Sequence, residues 1–295
     1  MGIWLSYSAY SQYKKCPKQY DYQRVSKTEP PVKESRHNAV IGSVVQSTFE
    51  DFYNEEIWRK RGGAQDDLIK RSEKYFQKFM EENYVDFDDV TSRFDSKAEP
   101  LNEIYEIIPK TISAIKREKL IGPYAKSEKE FKVRHKKDFL YGYVDFLIRD
   151  SNDNVILLDG KSSRYREERV DETQLYYYAL MFYKKYKKLP DKMGFLYFRF
   201  GDDEEEAFDW IEDISKEKLS ELKSDIDEVI FNIRNYEFQA DPNPKWCKWC
   251  PWESICDERL EQKKKNRMKR KFRSKKEEIE TSDSSDTIGF DAIED

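Results

Sequence analysis

The sequence predicts a mixed α/β (α+β) core with an added helical layer, and three observations carry that reading. Apolar residues recur at helical spacing from Leu5 to Leu120. Four β-branched and aromatic runs then follow: Lys126–Val133, Tyr141–Arg149, Val155–Leu158 and Met193–Phe200. A helical pattern, Asp171–Lys188, separates the third run from the fourth, as a crossover between neighbouring strands requires.

Taken in order, Ser6 or Ser8 can cap a first helix carrying Tyr10, Tyr13 and Cys16, which Cys16-Pro17 closes. Tyr20, Tyr22 and Val25 continue a compact aromatic piece up to the break at Glu29-Pro30-Pro31. Asn38–Arg61 reads as a long helix with Val40, Val44, Val45, Phe49, Phe52 and Tyr53 in one stripe, ended by Gly62-Gly63. Asp66–Tyr84 and Leu101–Leu120 are two more helices, joined by an acidic connector over Asp86–Pro100. The strands follow, with turn chemistry at Lys136-Lys137-Asp138 and at Asp150–Asn154. Pro190 stops the crossover helix, Trp210–Glu212 suits a short edge strand, and Ser215–Tyr236 is a final amphipathic helix. A turn at Asp241–Pro244 leads into a cysteine cluster.

At 295 residues, with 38% apolar and 38% charged residues, the chain can bury a sizeable core beneath a very polar surface. The net charge of -5 does not announce a nucleic-acid binder, but charge is unevenly placed. Lys263–Lys276 holds ten bases and no acid, and Glu277–Asp295 holds eight acids and no base. We therefore divide the chain into a domain over 1–262 and a disordered basic-then-acidic tail over 263–295. The tail is a candidate attachment point for a recombination or replication protein, and its basic run for DNA. No apolar run is long enough for a membrane span, and Met1–Tyr10 lacks a basic-then-apolar leader, so a cytoplasmic setting is expected. The only histidines, His37 and His135, argue against a multi-histidine metal centre and most histidine-dependent triads.

Chemistry concentrates in two places. The second and third strands place Asp145 and Asp159-Gly160-Lys161 close together, and burying two carboxylates and a lysine is unfavourable unless they bind something. A divalent cation, Mg²⁺ or Mn²⁺, suits two carboxylates. An upstream acid, Glu130 in preference to Glu128, could face the same ion because it adjoins the apolar Phe131 and Val133. Arg164, Arg166 and Arg169 follow as candidate phosphate contacts. The second place is Cys247-x₂-Cys250-x₅-Cys256, with Cys16 far upstream. Clustered cysteines in a cytoplasmic chain point to a metal, with zinc as one occupant. Trp246, Trp249 and Trp252 are expected to pack a dry shell around it.

The order Gly142-x-x-Asp145, apolar strand, Asp159-x-Lys161, then Gln174-x-x-x-Tyr178 on the next helix resembles the PD-(D/E)XK nuclease superfamily. Within it the pattern resembles the RecB-like branch, which includes the AddB nuclease domain and CRISPR-associated adaptation exonucleases. The resemblance implies a restriction-endonuclease-like mixed sheet flanked by helices. It also implies that Asp145, Asp159 and the Gly160 carbonyl hold the cation while Lys161 orients or polarises the attacking water. Gln174 and Tyr178 then shape the site and contact DNA. The cysteine spacing resembles the iron–sulfur members of the same branch, which implies a [4Fe–4S] cluster on Cys16, Cys247, Cys250 and Cys256 that joins the N- and C-terminal segments. One departure stands out. Where the family carries a histidine in a Gly-x-x-x-His pattern followed by an acid, this chain has Gly42, Gln46 and Glu50, so Gln46 stands where the resemblance implies a cation ligand. The implied activity is a metal-dependent exonuclease on single-stranded DNA or DNA ends, in recombination, repair or end processing in a bacterium or phage-infected cell. The alternatives are a CRISPR spacer-acquisition nuclease and a catalytically weakened DNA-binding or assembly factor.

Overall fold

A computed structural model describes residues 2–31, 39–60, 62–82, 98–122, 124–163, 171–203, 206–211 and 214–283. The chain divides into two units, Met1–Ser11 with Ser35–Asn235, and Gln12–Glu34 with Tyr236–Asp295.

The first unit is built on a six-stranded mixed sheet in the order β1-β3-β4-β5-β6, with β2 also paired to β3. The strands are β1 (Trp4–Ser6), β2 (Tyr124–His135), β3 (Asp138–Arg149), β4 (Val155–Lys161), β5 (Lys192–Tyr197) and β6 (Phe208–Ile211). β3 is long enough to organise the rest. It pairs antiparallel with β2 along nearly its whole length, parallel with β1 at Phe139–Tyr141, and antiparallel with β4 from Phe146 to Arg149. β4 and β5 are parallel, as a helical crossover demands, and β5 returns antiparallel to β6. Among the described residues, α3 (Val40–Asn54), α4 (Ala64–Glu82) and α5 (Ala98–Arg117) of this unit lie between β1 and β2. Their apolar faces share one core with Phe146, Ile148, Ile156, Leu158, Leu196 and Phe198 of the sheet region. The crossover helix α6 (Thr173–Tyr186) and the later α7 (Lys216–Arg234) complete the unit. α7 starts at Ser215, whose hydroxyl accepts the Lys218 N–H, the capping geometry that serine favours.

The helices expected between Asn38 and Leu120 are present with shifted ends: the second runs Ala64–Glu82 and the third Ala98–Arg117, each starting ahead of its expected position. The first stops at Asn54 and gives way to a 3₁₀ turn over Ile57–Arg59. The strand β1 was not foreseen, because three residues are too few to show periodicity; Ser6 at its end then caps α1 (Tyr7–Lys15) by accepting the Ala9 N–H at 3.2 Å. β4 does not stop at Leu158 but carries Asp159, Gly160 and Lys161 inside the ladder, opposite Phe195, Leu196 and Tyr197.

In the second unit, Cys16 precedes the short α2 (Pro17–Tyr20), and α8 (Pro244–Cys247) and α9 (Asp257–Asp283) follow. Aromatic contacts stitch its two segments together. Tyr20 stacks on Phe238 at 6.0 Å, Tyr22 stacks on Trp252 at 6.1 Å, and the Trp252 indole donates to the Thr28 carbonyl at 2.9 Å. The basic run expected to be disordered lies, as far as Asp283, in the continuous helix α9. Its good helix formers outweigh the absence of an apolar face. Residues 284–295 of the expected tail lie outside the described residues.

Candidate active site

The β2–β3–β4 ladder lines up three acids. Ser127 pairs with Phe146 and Lys129 with Val144, so Glu128 stands across from Asp145. Phe146 pairs with Leu158, so one step on Asp145 stands across from Asp159. The Gly160 N–H donates to Asp145 Oδ2 at 2.9 Å and locks this end of the ladder. Asp159 is 2% exposed, so one of the most polar side chains in the protein is also one of the most buried.

Gln174 on α6 organises the other side. Its Nε2 donates to Asp159 Oδ1 at 2.6 Å and to the Tyr178 hydroxyl at 2.9 Å, while its Oε1 accepts from Lys161 Nζ at 3.2 Å. Lys161 Nζ also lies 2.6 Å from Asp159 Oδ2 and 5.1 Å from the centre of the Phe195 ring. The ammonium is therefore held by a carboxylate, an amide and an aromatic face. From α3, Gln46 and Glu50 lie one turn apart and face the acid row. A Cβ on Gly160 would come within 2.8 Å of Gln46 Oε1, and one on Gly42 within 2.4 Å of Ser162 Oγ. Glycine at these two positions lets α3 and the end of β4 approach this closely.

The electrostatics follow from burial and like charge. Burial, then the neighbouring Asp159, holds the Asp145 carboxyl well above the usual carboxylate range. Burial also raises Asp159, against the pull of Lys161. Glu128 is raised by burial, with Asp159 adding to the effect and Gln46 opposing it. Glu50 is pushed up to about 7 by burial, Glu128 and Asp51. Tyr178, buried beside Asp159 and Asp145, keeps its proton far above the ordinary range. Four acids that resist ionisation at one place form a site that favours an added positive charge.

The structure brings together Asp145, Asp159, Gly160, Lys161, Gln174, Tyr178 and Gln46. It does not include Glu130, which is exposed and turned to Lys132 at 2.7 Å and the Tyr143 hydroxyl at 3.1 Å. Glu128 takes the place expected for it. The reason is backbone geometry, since Glu128 has φ 49°, in the left-handed region. Such a conformation is unfavourable for a non-glycine residue and persists where surrounding contacts enforce it. Here the flanking Ser127 is fixed on both sides: its hydroxyl donates to the Asp145 carbonyl at 2.6 Å and its N–H donates to Asn54 Oδ1 at 3.0 Å. No periodicity in the sequence signals a left-handed residue inside a strand. Arg164, Arg166 and Arg169 lie outside the described residues.

Comparison with protein families matches residues 4–257 to the model of the PD-(D/E)XK nuclease superfamily. The chain belongs to the PD-(D/E)XK nuclease superfamily. PD-(D/E)XK nucleases use divalent metals, and the acid row fits one. Magnesium is commonly bound through one or two carboxylates with water completing its shell, so a buried carboxylate pair suffices. Among the described residues no group of three or more His, Cys, Asp or Glu side chains forms a ready-made metal cage. Of the solved structures, "Putative exonuclease" from Eubacterium rectale shares 12% identity over 84% of this chain and 86% of its own, with a TM-score of 0.49. The protein SSO0001 shares 16% identity over 77% and 89%, with a TM-score of 0.34. Comparison with curated proteins found no match. For this superfamily member the geometry separates the two upstream glutamates. Glu128→Gln should lower the rate of DNA cleavage about ten- to a hundredfold, as expected for a carboxylate that supports a cation site, and Glu130→Gln should leave it unchanged. Parallel cleavage rates of the two variants check this.

The four cysteines all belong to the second unit. Cys16, Cys247, Cys250 and Cys256 are free, half-buried thiols that line one cavity with Tyr22, Trp246 and Arg259. Burial pushes the Cys247, Cys250 and Cys256 thiols up. The expected dry shell of tryptophans is only partly there: Trp252 is buried, but Trp246 and Trp249 are exposed. No helix among the described residues is long and apolar enough to cross a membrane.

Proposed function

We propose that this chain is a metal-dependent deoxyribonuclease that removes nucleotides from single-stranded DNA or DNA ends, in the manner of the RecB-like branch. The single observation that carries the reading is the row Glu128–Asp145–Asp159 ending on a lysine held by Asp159 and Gln174. A divalent cation held by Asp145, Asp159 and the Gly160 carbonyl would supply an acidified water and polarise the scissile phosphate. Lys161 contributes a compact fixed charge beside the place where negative charge builds in the transition state. Gln174 is a positioning residue, since it fixes Lys161 and Asp159 at once and leaves neither free to rotate. Tyr178 remains protonated and anchors that glutamine. Gln46 substitutes an amide for the family's imidazole, and its oxygen suits a hard cation such as Mg²⁺.

The second unit is proposed to hold a [4Fe–4S] cluster on its four thiols. Each iron of such a cube takes one thiolate, so the sulfurs need not converge as tightly as around one zinc ion. The role is structural, tying residue 16 to the segment over 247–256.

Digestion of linear and circular single strands tests the exonuclease reading. Linear strands should be degraded from an end and circular strands of the same sequence should survive. Cleavage of both at equal rates would show an endonuclease instead.

A further inference from the structure

Tryptophans recur every third residue at 246, 249 and 252, and the structure treats them unequally. Trp252 is core, 5% exposed and hydrogen-bonded to Thr28. Trp246 is 52% exposed and Trp249 is 74% exposed, the two most exposed tryptophans among the described residues. Packing accounts for the first and not for the other two. Each exposed indole has an ammonium over its ring: Lys15 Nζ lies 5.2 Å from the Trp246 centroid, and Lys248 Nζ lies 5.0 Å from that of Trp249. Lys245 and Lys248 are both exposed within the short stretch from Pro244 to Cys250, which contains no acid. The nearby Glu253 is already neutralised by Arg259 at 2.9 Å and Lys263 at 3.0 Å. The backbone under the indoles is fixed. Asn243 caps α8, its carbonyl accepts from Trp246 N at 3.1 Å, and Trp249 N donates to the Trp246 carbonyl at 3.0 Å.

Exposed indoles on a fixed backbone, interleaved with lysines, match unpaired nucleotides: bases offer flat apolar faces to the rings, and their phosphates meet the ammonium groups. A duplex keeps its bases stacked inside and cannot present those faces. We propose that Trp246 and Trp249, with Lys15, Lys245 and Lys248, form a landing surface for single-stranded DNA on the second unit. A base that displaces an ammonium from a ring brings with it the phosphate that receives that ammonium. That the strand is DNA rests on the nuclease reading above. Binding can be measured without cleavage, so the two can fail separately.

The test uses the full-length protein in chelator, with a fluorescently labelled oligothymidine strand and a blunt duplex of the same length. The paired variant Trp246→Ala/Trp249→Ala should bind the single strand at least about tenfold more weakly, given the usual contribution of base–aromatic stacking. Its affinity for the duplex should stay within about twofold of wild type. The paired Phe variant should recover most of the loss. If the alanine pair melts early, Lys245→Gln/Lys248→Gln serves instead, and its single-strand affinity should depend less steeply on salt, by about one to two in the log–log slope. Unchanged single-strand affinity in the alanine pair, or an equal loss toward both ligands, would overturn the proposal. So would an unchanged salt slope in the lysine pair. A protein that binds single strands through these indoles but cleaves nothing with Mn²⁺ would sink the nuclease reading and leave this surface standing.

Discussion

Asp145→Asn is expected to abolish DNA cleavage and, in metal-free buffer at neutral pH, to raise the melting temperature. Both results come from the same electrostatics. Asp145 accepts a hydrogen bond from Gly160, shares one with Asp159, and faces Glu128 across a buried ladder. Its proton is held more tightly in the folded state than in the unfolded one. The sign is fixed by linkage. Between the unfolded and folded pKa values the native state binds more protons, so stability falls as pH rises through that window. Asparagine keeps an acceptor for the Gly160 N–H and removes the charge, so the destabilising contribution disappears at neutral pH. For a protein of this size each 1 kcal/mol regained is worth roughly 2–4 °C. Added Mg²⁺ or Mn²⁺ should raise the melting temperature of the wild type and not of the variant, because a ligand of the native state stabilises by mass action. Thermal melts in chelator and in metal, at pH 5 and pH 7.5, check this. A variant that melts lower than wild type under every condition would mean the acid row is a structural network rather than a binding site.

The second large effect is expected at Cys16. With the proposed [4Fe–4S] cluster in place, the wild type should carry about four iron atoms per chain, and Cys16→Ser should lose them and destabilise the second unit. A cluster bound by ligands from both ends of the sequence contributes its binding energy to folding. Cys16 lies in the Gln12–Glu34 segment and the other three thiols in the Tyr236–Asp295 segment, so one missing ligand releases one segment from the other. Iron and zinc analysis of anaerobically purified protein, with limited proteolysis of the variant, reads both consequences. Stoichiometric zinc without iron would overturn the cluster assignment, and normal iron with normal protease resistance in Cys16→Ser would overturn the role of this thiol.

Much of this site was legible because strand chemistry is local. Asp145, Asp159 and Lys161 announce themselves as charges at the ends of apolar runs, and Gln174 and Tyr178 as polar groups one turn apart on the helix that follows. Gln46 and Glu50 were visible only through the resemblance, as the positions where the family's Gly-x-x-x-His pattern and its following acid fall. Glu128 was not, because the difference between it and Glu130 lies in one left-handed backbone angle enforced by Asn54, Ser127 and the paired strand. The tryptophans misled as well. Their spacing beside the cysteines suggests a dry shell, but Trp246 and Trp249 are exposed and only Trp252 is buried, although Trp246 lines the same cavity as the thiols. β1 escaped because three residues carry no period, and α9 because helix propensity can order a segment that has no apolar face.

The most direct measurement is single-turnover cleavage of an end-labelled single strand across a range of Mn²⁺ concentrations, comparing wild type with Asp159→Ala and Lys161→Ala. The account predicts a wild-type rate that rises with Mn²⁺ and saturates, no cleavage in chelator, and a loss of about a thousandfold or more in each variant, the several kcal/mol that removing a cation ligand or a fixed transition-state charge withdraws. Cleavage by the wild type in chelator, or variants as active as the wild type at saturating Mn²⁺, would contradict it.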